Sequence, residues 1–149
     1  MIAALTRAGG VLLTAEEKAT LQKTMFPGGH LSPAVTAQSV KRICEVCGLT
    51  RPEVVAAKCL MVEETGTGPD YPFSGEKLSP VLTVYRARDF DHAFETLRNI
   101  YAYMGNGHSC GIYSFNDDHI HRLAMMAPVS RIMVRQIQSR ANAGTFTNG

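Results

Sequence analysis

No lysine- or arginine-rich run occurs in this chain, and its net charge is only +2. It therefore lacks the electrostatic footprint of a nucleic-acid or anionic-membrane binder. No apolar run approaches the length of a membrane span, so no transmembrane helix is expected. Met1 leads straight into Ile-Ala-Ala-Leu, with no charged leader, long apolar core or cleavage signal. No secretory leader is read there, and a cytoplasmic location is expected.

Cysteine is sparse as well. Cys44 and Cys47 form one CxxC with no second pair, and Cys59 and Cys110 stand apart. A structural zinc site needs four ligands, usually from two such pairs. A redox CxxC opens a helix after a strand, whereas this one closes an apparent helix. The four thiols are expected to be small apolar side chains in a reduced protein, with no metal site. No GxGxxG follows a strand and no GxxxxGK[ST] occurs, so the chain has no phosphate-binding turn of its own.

At 149 residues, 45% hydrophobic and 19% charged, the chain suits one soluble globular domain. Its elements alternate. A helix through Ala8 stops at Gly9-Gly10 and a short strand follows at 11–13. Thr14 to Glu17 reads as a capping box opening a helix to about Thr24. A helix over 37–47 carries Val40, Ile43, Val46 and Cys47 on one face and ends at Gly48. Residues 54–62 look strand-like, and the Gly- and Pro-rich stretch 64–75 excludes regular structure. Val81 to Tyr85 reads as a buried strand. Asp89 caps a helix that turns Phe90, Ala93, Phe94, Leu97, Ile100 and Tyr101 inward. A strand over 109–114, a helix capped by Asn116 with Ile120, Leu123 and Ala124 inward, and a strand over 130–134 complete the pattern. The expected class is α/β, a mainly parallel sheet covered by helices.

Two side chains stand out as chemistry. Glu76 ends the loop before the buried strand, where a carboxylate is presented to a cleft; a solvated loop glutamate is the plain alternative. His108 follows Gly107 at a strand start and can exchange protons near neutral pH; a core or idle surface histidine is its alternative. The two are expected at neighbouring ends of one wound sheet. His30, His92, His119 and His121 are expected to be solvated. His119 and His121, two apart on a helix, cannot chelate one ion together. Asp117 and Asp118 suit a helix's first turn.

Several blocks carry a resemblance: EETGTGPDYP at 63–72, EKLSPVL at 76–82, YRARDF at 85–90, GNGHSC at 105–110 and PVSRIMV at 128–134. In order and spacing they resemble the CoA-acylating aldehyde dehydrogenases, including the aldehyde dehydrogenase half of bifunctional aldehyde-alcohol dehydrogenase. The resemblance spans essentially the whole chain. It implies an aldehyde dehydrogenase catalytic-domain-like fold, and it implies that residues 1–149 are a single incomplete catalytic domain. The family's nucleophilic cysteine and dinucleotide-binding domain would lie upstream of Met1, and none of the four cysteines takes the nucleophile's place.

The implied reaction oxidises a small aldehyde to an acyl-CoA with NAD or NADP. A cysteine thiolate attacks the aldehyde, hydride passes to the nicotinamide, and coenzyme A as co-substrate takes the acyl group from the thioester. One hard step thus becomes two. By the same resemblance Glu76 is the cofactor-binding glutamate that holds the nicotinamide-side ribose hydroxyls, and His108 is the histidine beside the nucleophile. The isolated chain is expected to be inactive. The other reading is a free-standing, non-catalytic module that binds a ligand or partner through a sheet edge. Open edges lead to an expectation of self-association as a homo-oligomer, with a loose or borrowed tail after Gln136. Arg131, Arg135 and Arg140 suit an anionic substrate or plain solvation; the aldehyde itself is not legible.

Overall fold

Gly9 adopts φ 103°, which lets the chain turn from α1 (Ile2–Arg7) into β1 (Gly10–Leu12). The computed structural model describes residues 1–138. Thr14 then builds the expected capping box for α2 (Ala15–Met25). Its hydroxyl accepts the Glu17 N–H at 3.2 Å, and the Glu17 carboxylate accepts the Thr14 N–H at 2.9 Å. The same carboxylate takes two bonds from the Arg51 guanidinium, at 2.7 and 2.8 Å, and Arg51 also donates to the Leu12 carbonyl. One glutamate thereby ties a helix start, a strand end and the next connection together. α3 (Val40–Cys47) ends at Gly48 in the left-handed region, φ 74°.

Pro52 does more than turn the chain. It occupies the first position of a short helix, α4 (Pro52–Val55), where its missing N–H costs nothing. Val54 is therefore a buried helix residue rather than a strand residue, and β2 (Cys59–Glu64) begins later than expected. β1, β2 and β3 (Val81–Tyr85) form a parallel three-stranded sheet, with Gly10 opposite Cys59 and Leu60 opposite Val81. Leu60, Met61 and Val62 are all sealed, so both faces of the central strand are covered. The connection from β2 to β3 is not wholly irregular. A 3-10 turn at Pro72–Ser74 drives Phe73 into the core, edge-on to Phe26 with ring centres 5.2 Å apart.

These elements make the first of two compact units, Met1–Arg86; the second begins at Ala87. In the second, Asp89 caps α5 (Phe90–Tyr103) by accepting the His92 N–H at 2.8 Å. Asn116 caps α6 (Asp117–Met126) with two N–H bonds. β4 (Gly107–Ile112) and β5 (Val129–Val134) pair in parallel, Gly107 opposite Val129. Phe94, Cys110 and Leu123 form the buried cluster. Ala93 and Ala124 are exposed instead of inward. The α/β class with parallel strands is as expected, but among the described residues the strands form two sheets rather than one wound sheet. No helix among the described residues is long and apolar enough to cross a membrane.

Candidate functional site

Glu76 lies in the first unit, five residues before β3, and its side chain is exposed. Its carboxylate has no hydrogen-bond or ion-pair partner among the described residues, so its acceptor capacity is open. The loop carrying it is tied down on every side. Phe73 anchors it in the core, and the Phe73 carbonyl accepts the Thr83 hydroxyl. The Ser74 hydroxyl accepts the Gly68 N–H at 3.0 Å, and the Tyr85 hydroxyl donates to the Gly66 carbonyl at 3.0 Å. Burial, reinforced by the Glu64 carboxylate, pushes the Tyr85 phenol up to about 12. Glu64 is itself buried and paired with the Lys18 ammonium at 2.9 Å, and Lys18 also donates to the Glu63 carbonyl. A free carboxylate on a fixed turn is a paired acceptor to which the two hydroxyls of a vicinal diol, such as a ribose, can donate.

Sequence reasoning missed the residue beside it. The Lys77 ammonium is half-buried and donates to the carbonyls of Phe73 and Gly75 at 2.8 and 2.7 Å. Burial holds its pKa below the usual lysine range, against the raising effect of Glu76. Its only signal in the sequence is its place next to Glu76.

His108 belongs to the second unit and is the second residue of β4, not a loop residue before it. Its N–H donates to the Gly105 carbonyl at 3.0 Å, and its carbonyl accepts the Ser130 hydroxyl. The imidazole is exposed and makes no hydrogen bond among the described residues. Two residues on, Cys110 is buried, and burial pushes its thiol up, as it does for Cys44, Cys47 and Cys59. All four are free thiols, raised rather than activated. No group of three His, Cys, Asp or Glu side chains that could hold a metal ion occurs among the described residues.

His119 departs from expectation. It is half-buried and stacks flat on Phe90 at 4.0 Å, with the Arg122 guanidinium 5.1 Å from the same ring. His119 and Phe90 border an apolar cavity of about 420 Å³ shared with Phe94, Leu97 and Ile112. Arg135 donates to the Ser114 carbonyl at 2.7 Å and covers Phe115; Arg131 is exposed on β5. Arg140 and the tail after Gln138 lie outside the described residues.

No protein-family model matches the chain. It is 51% identical over 149 residues to the acylating sulfoacetaldehyde dehydrogenase of Cupriavidus necator, covering 100% of this chain and 30% of that protein. The chain is homologous to the acylating aldehyde dehydrogenases. Succinate-semialdehyde dehydrogenase (acetylating) of Clostridium kluyveri is 32% identical over 152 residues, with 100% of this chain and 32% of that protein covered. The crystal structure of an acetylating aldehyde dehydrogenase from Geobacillus thermoglucosidasius superposes with a TM-score of 0.83 at 32% identity, covering 89% of this chain and 29% of that one. This aldehyde dehydrogenase homologue thus spans about 30% of the length of the curated relative it matches at 51% identity. The sequence match covers 100% of this chain and the structural match 89% of it.

Proposed function

We propose that residues 1–149 form part of an NAD(P)-dependent, CoA-acylating aldehyde dehydrogenase, as a single incomplete catalytic domain that is inactive by itself. The observation that carries this reading is the 51% identity, without a break in coverage, to an acylating enzyme. Its substrate is a small aldehyde bearing an anionic group, with sulfoacetaldehyde first. That choice rests on the sulfonate and carboxylate aldehydes in the names of the two curated relatives above. The protein works as a cytoplasmic homo-oligomer.

Bound NAD(P)+ supplies a hydride acceptor and coenzyme A an acyl acceptor. The chain's own part is to hold and orient. Glu76 accepts two hydroxyl bonds from the ribose next to the nicotinamide; its exposed, unpartnered carboxylate supports this. Such charge-assisted bonds contribute about 1.5–3 kcal/mol each. His108, exposed and unpartnered, orients or deprotonates a thiol, either the nucleophile's or that of coenzyme A. The raised thiols of Cys44, Cys47, Cys59 and Cys110, the first two and the last buried and Cys59 half-buried, support a nucleophile supplied from outside this stretch.

The test is CoA dependence in the complete protein encoded by the reading frame that carries this stretch. Sulfoacetaldehyde and NAD(P)+ should give reduced nucleotide and an acyl-CoA only when coenzyme A is present. Release of free acid without coenzyme A would contradict the acylating assignment.

A further inference from the structure

We propose that Lys77 is a positioning residue, whose ammonium clamps the turn that aims Glu76 at the nucleotide; this rests on the reading of Glu76 above. The clamp acts on the peptide group that leads into Glu76. The carbonyl of Gly75 and the N–H of Glu76 belong to one planar unit. Lys77 holds that carbonyl at 2.7 Å and so fixes the plane from which the Glu76 side chain departs. Its second bond, 2.8 Å to the Phe73 carbonyl, ties the same ammonium to a residue sealed in the core. The Phe73 carbonyl also accepts from Thr83 on β3, so the clamp is anchored to the sheet as well.

On the other side of Glu76 the chain is pinned too. The Leu78 carbonyl accepts the Ala37 N–H at 2.7 Å. Both residues lie in the left-handed region, Leu78 at φ 45° and Ala37 at φ 56°, where non-glycine backbone is strained. The neighbouring Ser79 hydroxyl oxygen is buried with no partner among the described residues. A turn with these costs does not hold its shape unaided; its surroundings must over-determine it. Lys77 is the one cation on the turn, and its two carbonyl bonds offset the desolvation that depresses its pKa. A lysine that only solubilised the loop would instead point into water.

The test compares Lys77→Met, Glu76→Gln and the double variant in the complete protein, with two readouts. Amide hydrogen exchange across residues 74–79 reports the clamp, and the split between nucleotide KM and kcat reports its use. Lys77→Met should speed exchange in that segment and raise nucleotide KM about tenfold with little change in kcat. In the Glu76→Gln background it should speed exchange as before but add nothing to KM, because the group it positions is gone. Unchanged exchange would overturn the clamp. An equal rise in KM in both backgrounds would overturn its action through Glu76. A KM raised by Glu76→Gln but untouched by Lys77→Met would overturn the positioning role alone. A KM untouched by Glu76→Gln would overturn the nucleotide reading and the positioning role with it. If Lys77→Met does not fold, Lys77→Gln, which removes the cation but keeps a donor, carries both readouts.

Discussion

In the first unit Leu21, Met25, Ile43, Val54, Leu60 and Phe73 are each 0% exposed, and the buried cluster continues through Val35 and Val62. In the second unit no described apolar side chain is closed off so completely, and Tyr113 and Phe115 stand 72% and 91% exposed. Met125 and Met126, at the end of α6, are exposed as well. The helices of the second unit, α5 and α6, carry apolar stripes too, so a missing stripe does not account for the difference. A helix with one apolar stripe buries it only if another layer arrives to cover it. Three strands and four helices close around the core of Met1–Arg86, whereas the described residues of the second unit supply two strands and two helices around a smaller cluster.

The comparison can be broken by deletion of ring volume. Phe73→Ala should cost about 3–5 kcal/mol, because the rigid surroundings leave a cavity. Phe94→Ala, in the smaller cluster, should cost only about 1.5–3 kcal/mol, the transfer part alone. Segment-resolved hydrogen exchange in denaturant measures both; equal costs would remove the distinction. A smaller effect sharpens it at the helix starts. Thr14→Ala should cost about 1 kcal/mol and loosen α2, and Asn116→Ala should cost a similar amount in α6. Loss of protection in α2 that failed to spread to β1 would deny the role given to the Glu17–Arg51 tie. The smallest effect belongs to the surface: Phe115→Ser should change stability by less than about 0.5 kcal/mol. It should also weaken self-association in sedimentation, and unaltered association would take Phe115 out of any contact.

Alkaline titration reads the Tyr85 site of the first unit. The Tyr85 phenol titrates near 10.0 when unfolded and at about 12 when folded. A raised folded-state value means that its contribution is complete below pH 10.0 and is lost as pH rises through about 12. Tyr85→Phe should flatten the stability curve of the first unit over that window and leave the second unit unaltered. At the acid end the sign reverses. Arg51 holds the Glu17 carboxyl below its ordinary 4.5, so that contribution is present above pH 4.5 and fades as pH falls.

What was legible in the sequence was local. Thr14, Asp89 and Asn116 named three helix starts, and Gly48 named an end, because caps are decided by residues within a turn of each other. Pro52 was misleading for a physical reason: the same fixed φ serves a turn and a first helical position, and only packing of Val54 chooses between them. The pairing of β4 with β5 was invisible, since strand pairing joins residues with no shared local signal. Glu76 and His108 were legible as polar groups at strand starts. The ties that hold the Glu76 turn were not, because Lys77, Thr83 and Ala37 act on backbone groups, which have no letter in the sequence.

The most direct measurement is the steady-state comparison of Glu76→Gln with His108→Asn in the complete protein, with sulfoacetaldehyde, NAD(P)+ and coenzyme A. The account expects Glu76→Gln to raise nucleotide KM roughly tenfold or more with the fold intact. It expects His108→Asn to lower CoA-dependent turnover with nucleotide KM unaltered. Nucleotide kinetics that ignore Glu76, or that respond to His108 instead, would contradict it.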